Sequence, residues 1–227
     1  MTIEKVWFHD LEKSPRELSG TIMVIDAQAA TANMAILLSK NPSRIIVVNE
    51  KNLGLARTVH PSGILIGESN TLPTNAFAWD NHQDSMYKSN VKGKTLLYMS
   101  INGTKLVDFA LARLKQGEVI TGSLLNAQAI ANYGKEKGLP ITMLMSGDQG
   151  EEVAEDKICA DVIEHQIHGT IFDWNALKKE IVMFFKNHYR REVDVDIPYL
   201  TDHLNSLAIV PRCMVNEEGF IEVRAMV

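Results

Sequence analysis

The feature that most constrains the fold of this chain is a strand–turn–helix pattern that occurs three times in succession. The apolar runs that predict its strands are Thr95–Ser100, Glu118–Thr121 and Ile141–Met145. Short polar turns follow these runs, and the residues after the turns have the composition of helices, over 105–115, 124–133 and 151–167. Strands that alternate with helices are typical of α/β proteins with a parallel sheet.

The polar turns are candidate binding positions for an anion such as phosphate. They are Ile101–Thr104, Gly122–Ser123 and Ser146–Gly150. Backbone N–H groups at the start of a helix are unpaired and attract anions, and ligands of open parallel sheets bind at the carboxyl ends of the strands. Three such turns in succession therefore predict one shared site. The alternative is that they are ordinary turns with helix caps, and Ser146–Gly150 lacks the Lys-Ser/Thr ending of a P-loop.

The rest of the chain continues the alternation of strands and helices. Further strands are predicted at Thr21–Ile25, Arg44–Val48, Ile64–Ile66, Ser206–Val210 and Phe220–Arg224, and helices over 28–40, 52–59 and 173–190. The stretch Ser69–Gly93 has no clear periodicity, and a loop of this length in a compact domain is usually functional. We expect a three-layer α/β/α fold with a largely parallel or mixed sheet.

The chain is interpreted as one domain over residues 1–227. Its C-terminal part, 190–227, is the candidate for a small subdomain or an edge of the sheet. Within it, the polar segment Arg190–Asp196 fits either a linker or an exposed strand.

Composition excludes several classes of function. The net charge of −5 argues against a nucleic-acid-binding surface, which normally needs a basic patch. No apolar run reaches the roughly 18 residues of a membrane helix, and the N-terminus lacks the basic and apolar regions of a signal peptide. With only Cys159 and Cys213, neither a disulfide framework nor a cysteine metal cluster is indicated. We expect a cytoplasmic protein.

Carboxylates near predicted strand or helix ends are candidate metal ligands. Asp26 follows the first strand and Glu68 follows another, while Glu155 and Asp156 lie in an acidic helix start. Mg²⁺ prefers one or two carboxylates together with phosphate oxygens. Alternatively, Asp26 is a helix N-cap, Glu68 a solvated carboxylate, and the acidic helix start a response to the helix dipole. Glu155 and Asp156 are adjacent, so we expect one of them to face inward, where a buried carboxylate needs a partner.

Taken together and in this order, these segments resemble the 2-phosphosulfolactate phosphatase family, known from coenzyme M biosynthesis. The resemblance runs from about Thr21 to Pro211. Its best pieces are Ser100–Lys105, Gly122–Ala127 and Glu155–Ala160. It implies a Mg²⁺-dependent phosphatase that acts on a small anionic phosphate ester and associates into homo-oligomers.

The resemblance also implies roles for individual residues. Catalytic roles fall on Asp26, Glu68 and Asp156. Metal binding falls on Asp26, Glu68, Glu155 and Asp156. Substrate binding falls on Asn81, Asn102, Gly103, Thr104, Gly122, Ser123 and Asn126.

Two arginines of the family pattern are absent. Ala29 and Ser69 stand where the family has arginine. Arginine binds phosphate and sulfonate through two parallel hydrogen bonds. The sequence therefore allows two interpretations: a phosphatase of altered specificity, in which Lys105 or Arg57 could substitute, or a non-catalytic ligand-binding or interaction protein that keeps the fold.

Overall fold

A computed structural model of the chain describes residues 2–148, 150–171, 173–188 and 200–226, with residues 184–188 described by their backbone alone. Over these residues the chain forms a three-layer α/β/α fold around one nine-stranded mixed sheet. The strands are β1 (Ile3–Trp7), β2 (Leu18–Ile25), β3 (Arg44–Val47), β4 (Ile64–Gly67), β5 (Thr95–Met99), β6 (Leu114–Gly122), β7 (Ile141–Met145), β8 (Val210–Val215) and β9 (Ile221–Met226). The helices are α1 (Phe8–Lys13), α2 (Ala30–Ser39), α3 (Leu53–Val59), α4 (Gln83–Lys88), α5 (Gly103–Arg113), α6 (Ala127–Lys137), α7 (Ala154–Ile167) and α8 (Trp174–His188), with a 3₁₀ turn at Thr74–Ala76.

The sheet consists of two parallel groups joined by an antiparallel hairpin. The strand order is β1-β7-β2-β6-β8-β9-β3-β5-β4. β1, β7, β2 and β6 are mutually parallel, and so are β3, β5 and β4. The pairings β6–β8, β8–β9 and β9–β3 are all antiparallel, so the two parallel groups run in opposite directions.

The core explains why the central strands lack polar–apolar alternation. Every residue of β7 is buried, as are four of the five in β5, because helices cover both faces of the sheet. Every residue from Ala30 to Leu37 in α2 is buried as well, which is expected of a helix enclosed on all sides. Among the described helices, none has the length and apolarity needed to cross a bilayer.

Most elements predicted from the sequence are present, with ends shifted by a few residues. The strand predicted at Ser206–Val210 is wrong: the strand begins at Val210 and continues through Pro211 to Val215. Leu114 and Lys115 begin β6 instead of ending a helix. The N-terminal elements β1 and α1 were not predicted, and the stretch Ser69–Gly93 contains α4.

The C-terminal strands β8 and β9 occupy the middle of the sheet, so they form no edge of it. The β8–β9 hairpin lies between the two parallel groups of strands, so these groups do not pair with each other directly. The segment Arg190–Asp196, predicted as a linker or strand, lies outside the described residues.

An ion-pair network fixes the hairpin to β3. The carboxylate of Glu222 on β9 accepts hydrogen bonds from Arg44 Nη2 at 2.8 Å and from Arg224 Nε at 2.8 Å. Burial alone would raise the pKa of Glu222, but hydrogen bonds from Arg224, Arg44 and Asn216 outweigh it and lower this pKa to about 2. The Glu222 side chain is 5% exposed, whereas its partners Arg44 and Arg224 are 26% and 57% exposed.

The Glu222→Gln variant tests this network by its pH dependence. The folded-state pKa of Glu222 lies below its ordinary value of 4.5, so its stabilisation is complete above pH 4.5 and is lost as the pH falls towards about 2. At neutral pH we expect the variant to lose about 1–3 kcal/mol of unfolding free energy. Below pH 4.5 this difference from the wild type should shrink. Urea denaturation across the pH range measures it.

Glu217→Gln is the matched control, because Glu217 is an exposed neighbour on the same hairpin. Its effect should stay within about 0.5 kcal/mol. An equal loss in both variants, or a loss in Glu222→Gln that does not change with pH, would contradict a special role of Glu222.

Candidate functional site

A cavity of about 1250 Å³ opens where the ends of β2, β4, β5 and β7 meet. One of its walls comes from the segment 69–82, the beginning of the stretch predicted as a functional loop. Apart from His82, the ionisable side chains among the described residues of the lining are all acidic: Asp26, Glu68, Asp80, Asp148, Glu155 and Asp156. The predicted catalytic and metal-binding residues therefore lie around one cavity.

Carboxyl ends of strands from both parallel groups meet at this cavity. A flat sheet would place them at opposite edges, because the two groups run in opposite directions. Instead, Asn102 after β5 donates from Nδ2 to Asp148 Oδ1 after β7 over 3.2 Å. The sheet is therefore twisted or bent enough to bring the two sets of ends together.

Asp156 joins the ends of two neighbouring strands. Its Oδ1 accepts the Ala27 N–H after β2 at 2.7 Å, and its Oδ2 accepts the Gly147 N–H after β7 at 2.9 Å. Burial raises the pKa of Asp156, and the charge of Asp26 raises it further, while the two backbone hydrogen bonds lower it. The expectation that Glu155 or Asp156 would face inward is confirmed, and both are buried.

Asp26 bonds to the start of α2, although the N-cap residue of that helix is Ala29, and metal binding by Asp26 stays a prediction. Its Oδ1 accepts the N–H of Ala30, the first residue of α2, over 3.4 Å, as a helix-capping carboxylate does. Its side chain also lines the cavity. Burial raises the pKa of Asp26 to about 7, the Ala30 N–H opposes this, and the charges of Glu68, Glu155 and Asp148 add to the rise.

Asn81 is the centre of a hydrogen-bonded network that holds Glu68. Asn81 Nδ2 donates to Glu68 Oε1 at 2.9 Å. Asn81 Oδ1 accepts the hydroxyl of Tyr98 at 2.7 Å and the amide of Asn33 at 3.0 Å. Burial raises the pKa of Tyr98, so its hydroxyl stays protonated and can donate to Asn81 Oδ1. The NH₂ group of Asn81 then points towards Glu68, whose carboxylate accepts its hydrogen bond.

Tyr98 and Asn33 were not predicted as parts of the site. Both are fully buried, Tyr98 in the apolar strand β5 and Asn33 in the apolar helix α2. A polar group in an otherwise apolar run is the available signal, because a buried polar group needs a hydrogen-bond partner.

The described residues that line the cavity include no lysine or arginine. Ala29 and Ser69, the positions of the two absent arginines, both line it. Lys105 lies outside the lining, where it pairs with Glu12 at 2.8 Å and lies over the ring of Phe8. Arg57 on α3 is also outside the lining.

Several predicted substrate-binding residues serve the local structure and lie outside the lining. Thr104 donates its hydroxyl to the Ser100 carbonyl at 2.6 Å. Asn126 Oδ1 accepts the N–H and the hydroxyl of Ser123, at 2.9 and 2.8 Å, and its amide donates to the Ile209 carbonyl. Gly122 packs near Ile163. Asn81 and Asn102 do line the cavity. Gly103 also lies outside the lining, and substrate binding stays a prediction for all seven residues.

The donor set of the cavity fits a hard divalent cation. Carboxylate and amide oxygens are the ligands that Mg²⁺ prefers, and a cation would offset the repulsion that Glu68, Glu155 and Asp148 exert on Asp26. Over the described part of the chain, however, no three His, Cys, Asp or Glu side chains are grouped as a metal site. The lining thus has suitable chemistry for Mg²⁺ without a pre-formed set of ligands.

The fold and the cavity define an α/β protein with an acidic site at the carboxyl ends of its strands. Residues 8–205 match the family model described as 2-phosphosulpholactate phosphatase. The chain belongs to this family.

Individual relatives support this assignment. A probable 2-phosphosulfolactate phosphatase of Clostridium novyi is 30% identical over 153 residues, which are 66% of this chain and 64% of the relative. A protein of the same description from Thermotoga petrophila is 31% identical over 144 residues, 63% of this chain and 60% of the relative. Another, from Caldanaerobacter subterraneus, is 26% identical over 179 residues, 77% of this chain and 73% of the relative. The matched segments thus span less than two thirds of the first two relatives.

Gly103→Ala tests how closely α5 approaches Asp26. A Cβ at Gly103 would lie 2.3 Å from Ala30 Cβ and 2.7 Å from Asp26 Oδ2, so the start of α5 must move. We expect a loss of about 1–3 kcal/mol in unfolding free energy, measured by urea denaturation. Gly54→Ala is the matched control, because Gly54 is also helical and a Cβ there meets nothing within 4 Å. Equal stability of the two variants would contradict the close packing.

Proposed function

We propose that this protein is a Mg²⁺-dependent phosphatase that hydrolyses a small phosphate ester, with a substrate different from 2-phosphosulfolactate. One observation carries the proposal: Asp26, Glu68, Glu155 and Asp156 lie around a single cavity at the carboxyl ends of the strands. Membership of the family supports the reaction type. The absence of lysine and arginine from the described lining supports the change of substrate.

Asp26, Glu68 and Asp156 would hold the metal ion. A carboxylate oxygen that accepts one hydrogen bond keeps a second lone pair, so the bonds of Asp156 to Ala27 and Gly147 leave it able to bind a cation. Bound Mg²⁺ supplies polarisation of the phosphoryl oxygens and neutralises negative charge that develops during hydrolysis.

The protein's own residues would position the reacting groups. Asn81 holds Glu68 through its 2.9 Å hydrogen bond, and Asn102 lies beside Asp148 at the mouth of the cavity. The amide of Asn102 is a hydrogen-bond donor for a phosphate oxygen. Assignment of coenzyme M biosynthesis and oligomerisation rests on the resemblance, and that of a cytoplasmic location on the composition of the sequence.

A non-catalytic ligand-binding protein is the second candidate. Ala29 and Ser69 line the cavity at the positions where the family has arginine, which favours this candidate. The loss of charge-stabilising groups such as these arginines costs enzymes about 100-fold or more in rate. Calorimetry with Mg²⁺ separates the candidates. Binding of Mg²⁺ by the folded protein supports the phosphatase, and a folded protein that binds no divalent cation supports the second candidate.

Phosphate release from a panel of small phosphate esters tests the activity. We expect release in the presence of Mg²⁺ and its loss when the metal is removed by a chelator. The absence of release from every ester at any pH, with folded protein, would contradict the proposal.

Glu68→Gln tests the role of the carboxylates in this reaction. The change keeps the side-chain size and the acceptor for Asn81 but removes a negative charge from the cavity. We expect phosphate release to fall by about 100-fold or more. Glu136→Gln, the same change on the exposed side of α6, should leave it unaltered. Wild-type rates in Glu68→Gln would exclude Glu68 from the mechanism.

A further inference from the structure

We propose that the substrate is a phosphate ester whose organic part carries no second anionic group, has apolar surface, and is bound best when it carries a protonated amine. This inference rests on the proposed function, because it places the ester's phosphate in the carboxylate-lined cavity. It concerns the organic part of the ester rather than its phosphate group.

The charge of the lining is the first reason. Beyond the three carboxylates assigned to the metal, the described lining adds Asp80, Asp148 and Glu155, while its one basic side chain is that of His82, with no lysine or arginine. One Mg²⁺ compensates the charge of a phosphate dianion at most. A carboxylate or sulfonate elsewhere in the ligand would then face uncompensated negative charge, whereas an ammonium group would be attracted.

Asp80 and Asp148 are the best placed to act on the organic part. Both are exposed at the cavity, in contrast to the buried Asp26, Glu155 and Asp156. Asp148 accepts a hydrogen bond from Asn102, and Asp80 accepts the N–H of His82 at 3.3 Å. Both partners are neutral donors, so neither hydrogen bond cancels the charge of its carboxylate.

The size and surface of the cavity are the second, independent reason. A volume of about 1250 Å³ exceeds the roughly 300–1,000 Å³ typical of pockets for drug-sized ligands. The wall formed by segment 69–82 presents Leu72, Phe77 and Trp79 beside the amides of Asn70 and Asn75. Such a surface binds an apolar or aromatic body rather than a short, doubly charged acid.

Lys94, a cation beside this wall, does not reverse the argument. Lys94 Nζ lies 5.8 Å from the centre of the Trp79 ring, but Lys94 is not part of the lining. The indole ring contributes to the wall, so an anionic ligand gains no direct partner from Lys94.

A matched series of aryl phosphates tests the inference. Three esters share the phenyl leaving group and carry an aminoethyl, ethyl or carboxyethyl chain opposite the phosphate, so that only the distal charge differs. With Mg²⁺ at neutral pH and low salt, we expect kcat/KM to fall in this order. Between the first and the last the difference should be about tenfold or more, and it should shrink at high salt.

The variants Asp80→Asn and Asp148→Asn test whether these two carboxylates cause the preference for the aminoethyl ester. Each variant should reduce the ratio between the aminoethyl and carboxyethyl esters by about threefold, because each removes one charge that faces the ligand. Asp108→Asn is the control, since Asp108 is an exposed carboxylate of α5 outside the lining. It should leave the ratio unchanged.

The outcomes separate the inference from the proposed function. Hydrolysis with equal rates, or with the carboxyethyl ester preferred, would overturn the inference and leave the phosphatase intact. If none of the three is hydrolysed, the phosphatase proposal loses support, and calorimetry with the same esters decides the inference. The same rank order in affinity would support it. The reverse order, no discrimination or no binding would overturn it.

Discussion

The arrangement of this site depends on one buried carboxylate, that of Asp156. It accepts the Ala27 N–H with one oxygen and the Gly147 N–H with the other, and so ties α7 to the ends of β2 and β7. These two strands are neighbours in the sheet, and the residues that follow them line the cavity. Burial of Asp156 close to Asp26 is costly in the charged form. A bound cation would offset this cost, so the same contact that organises the site also favours a metal in it.

A second constraint comes from the other parallel group of strands. Asn81 is held by Tyr98 and Asn33 and in turn holds Glu68, which follows β4. Through these hydrogen bonds Glu68 has a defined position in the cavity wall. The two groups of strands thus contribute carboxylates from opposite sides, while the cationic residues that would suit a doubly anionic ligand are absent from the described lining.

The sequence allowed prediction of the fold class and of much of the site, because buried parallel strands leave continuous apolar runs and because helices begin at small polar turns. Asp26, Glu68, Glu155 and Asp156 line one cavity together with residues of two of the three polar turns, at Ile101–Asn102 and Gly147–Asp148, whereas the turn Gly122–Ser123 lies outside the lining. The position of β8 and β9 in the middle of the sheet was not predictable, since strand order is set by long-range pairing. Nor does spacing distinguish a turn that caps its own helix, such as the one at Ser123, from a turn that faces a ligand.

The central claim is that the carboxylate-lined cavity is a divalent-cation site. A crystal structure of the protein soaked in Mn²⁺, with anomalous diffraction recorded for manganese, tests it most directly. The account predicts an anomalous peak within bonding distance of Asp26, Glu68 or Asp156. An ordered cavity with no manganese at saturating concentration, or manganese bound only elsewhere on the protein, would contradict it.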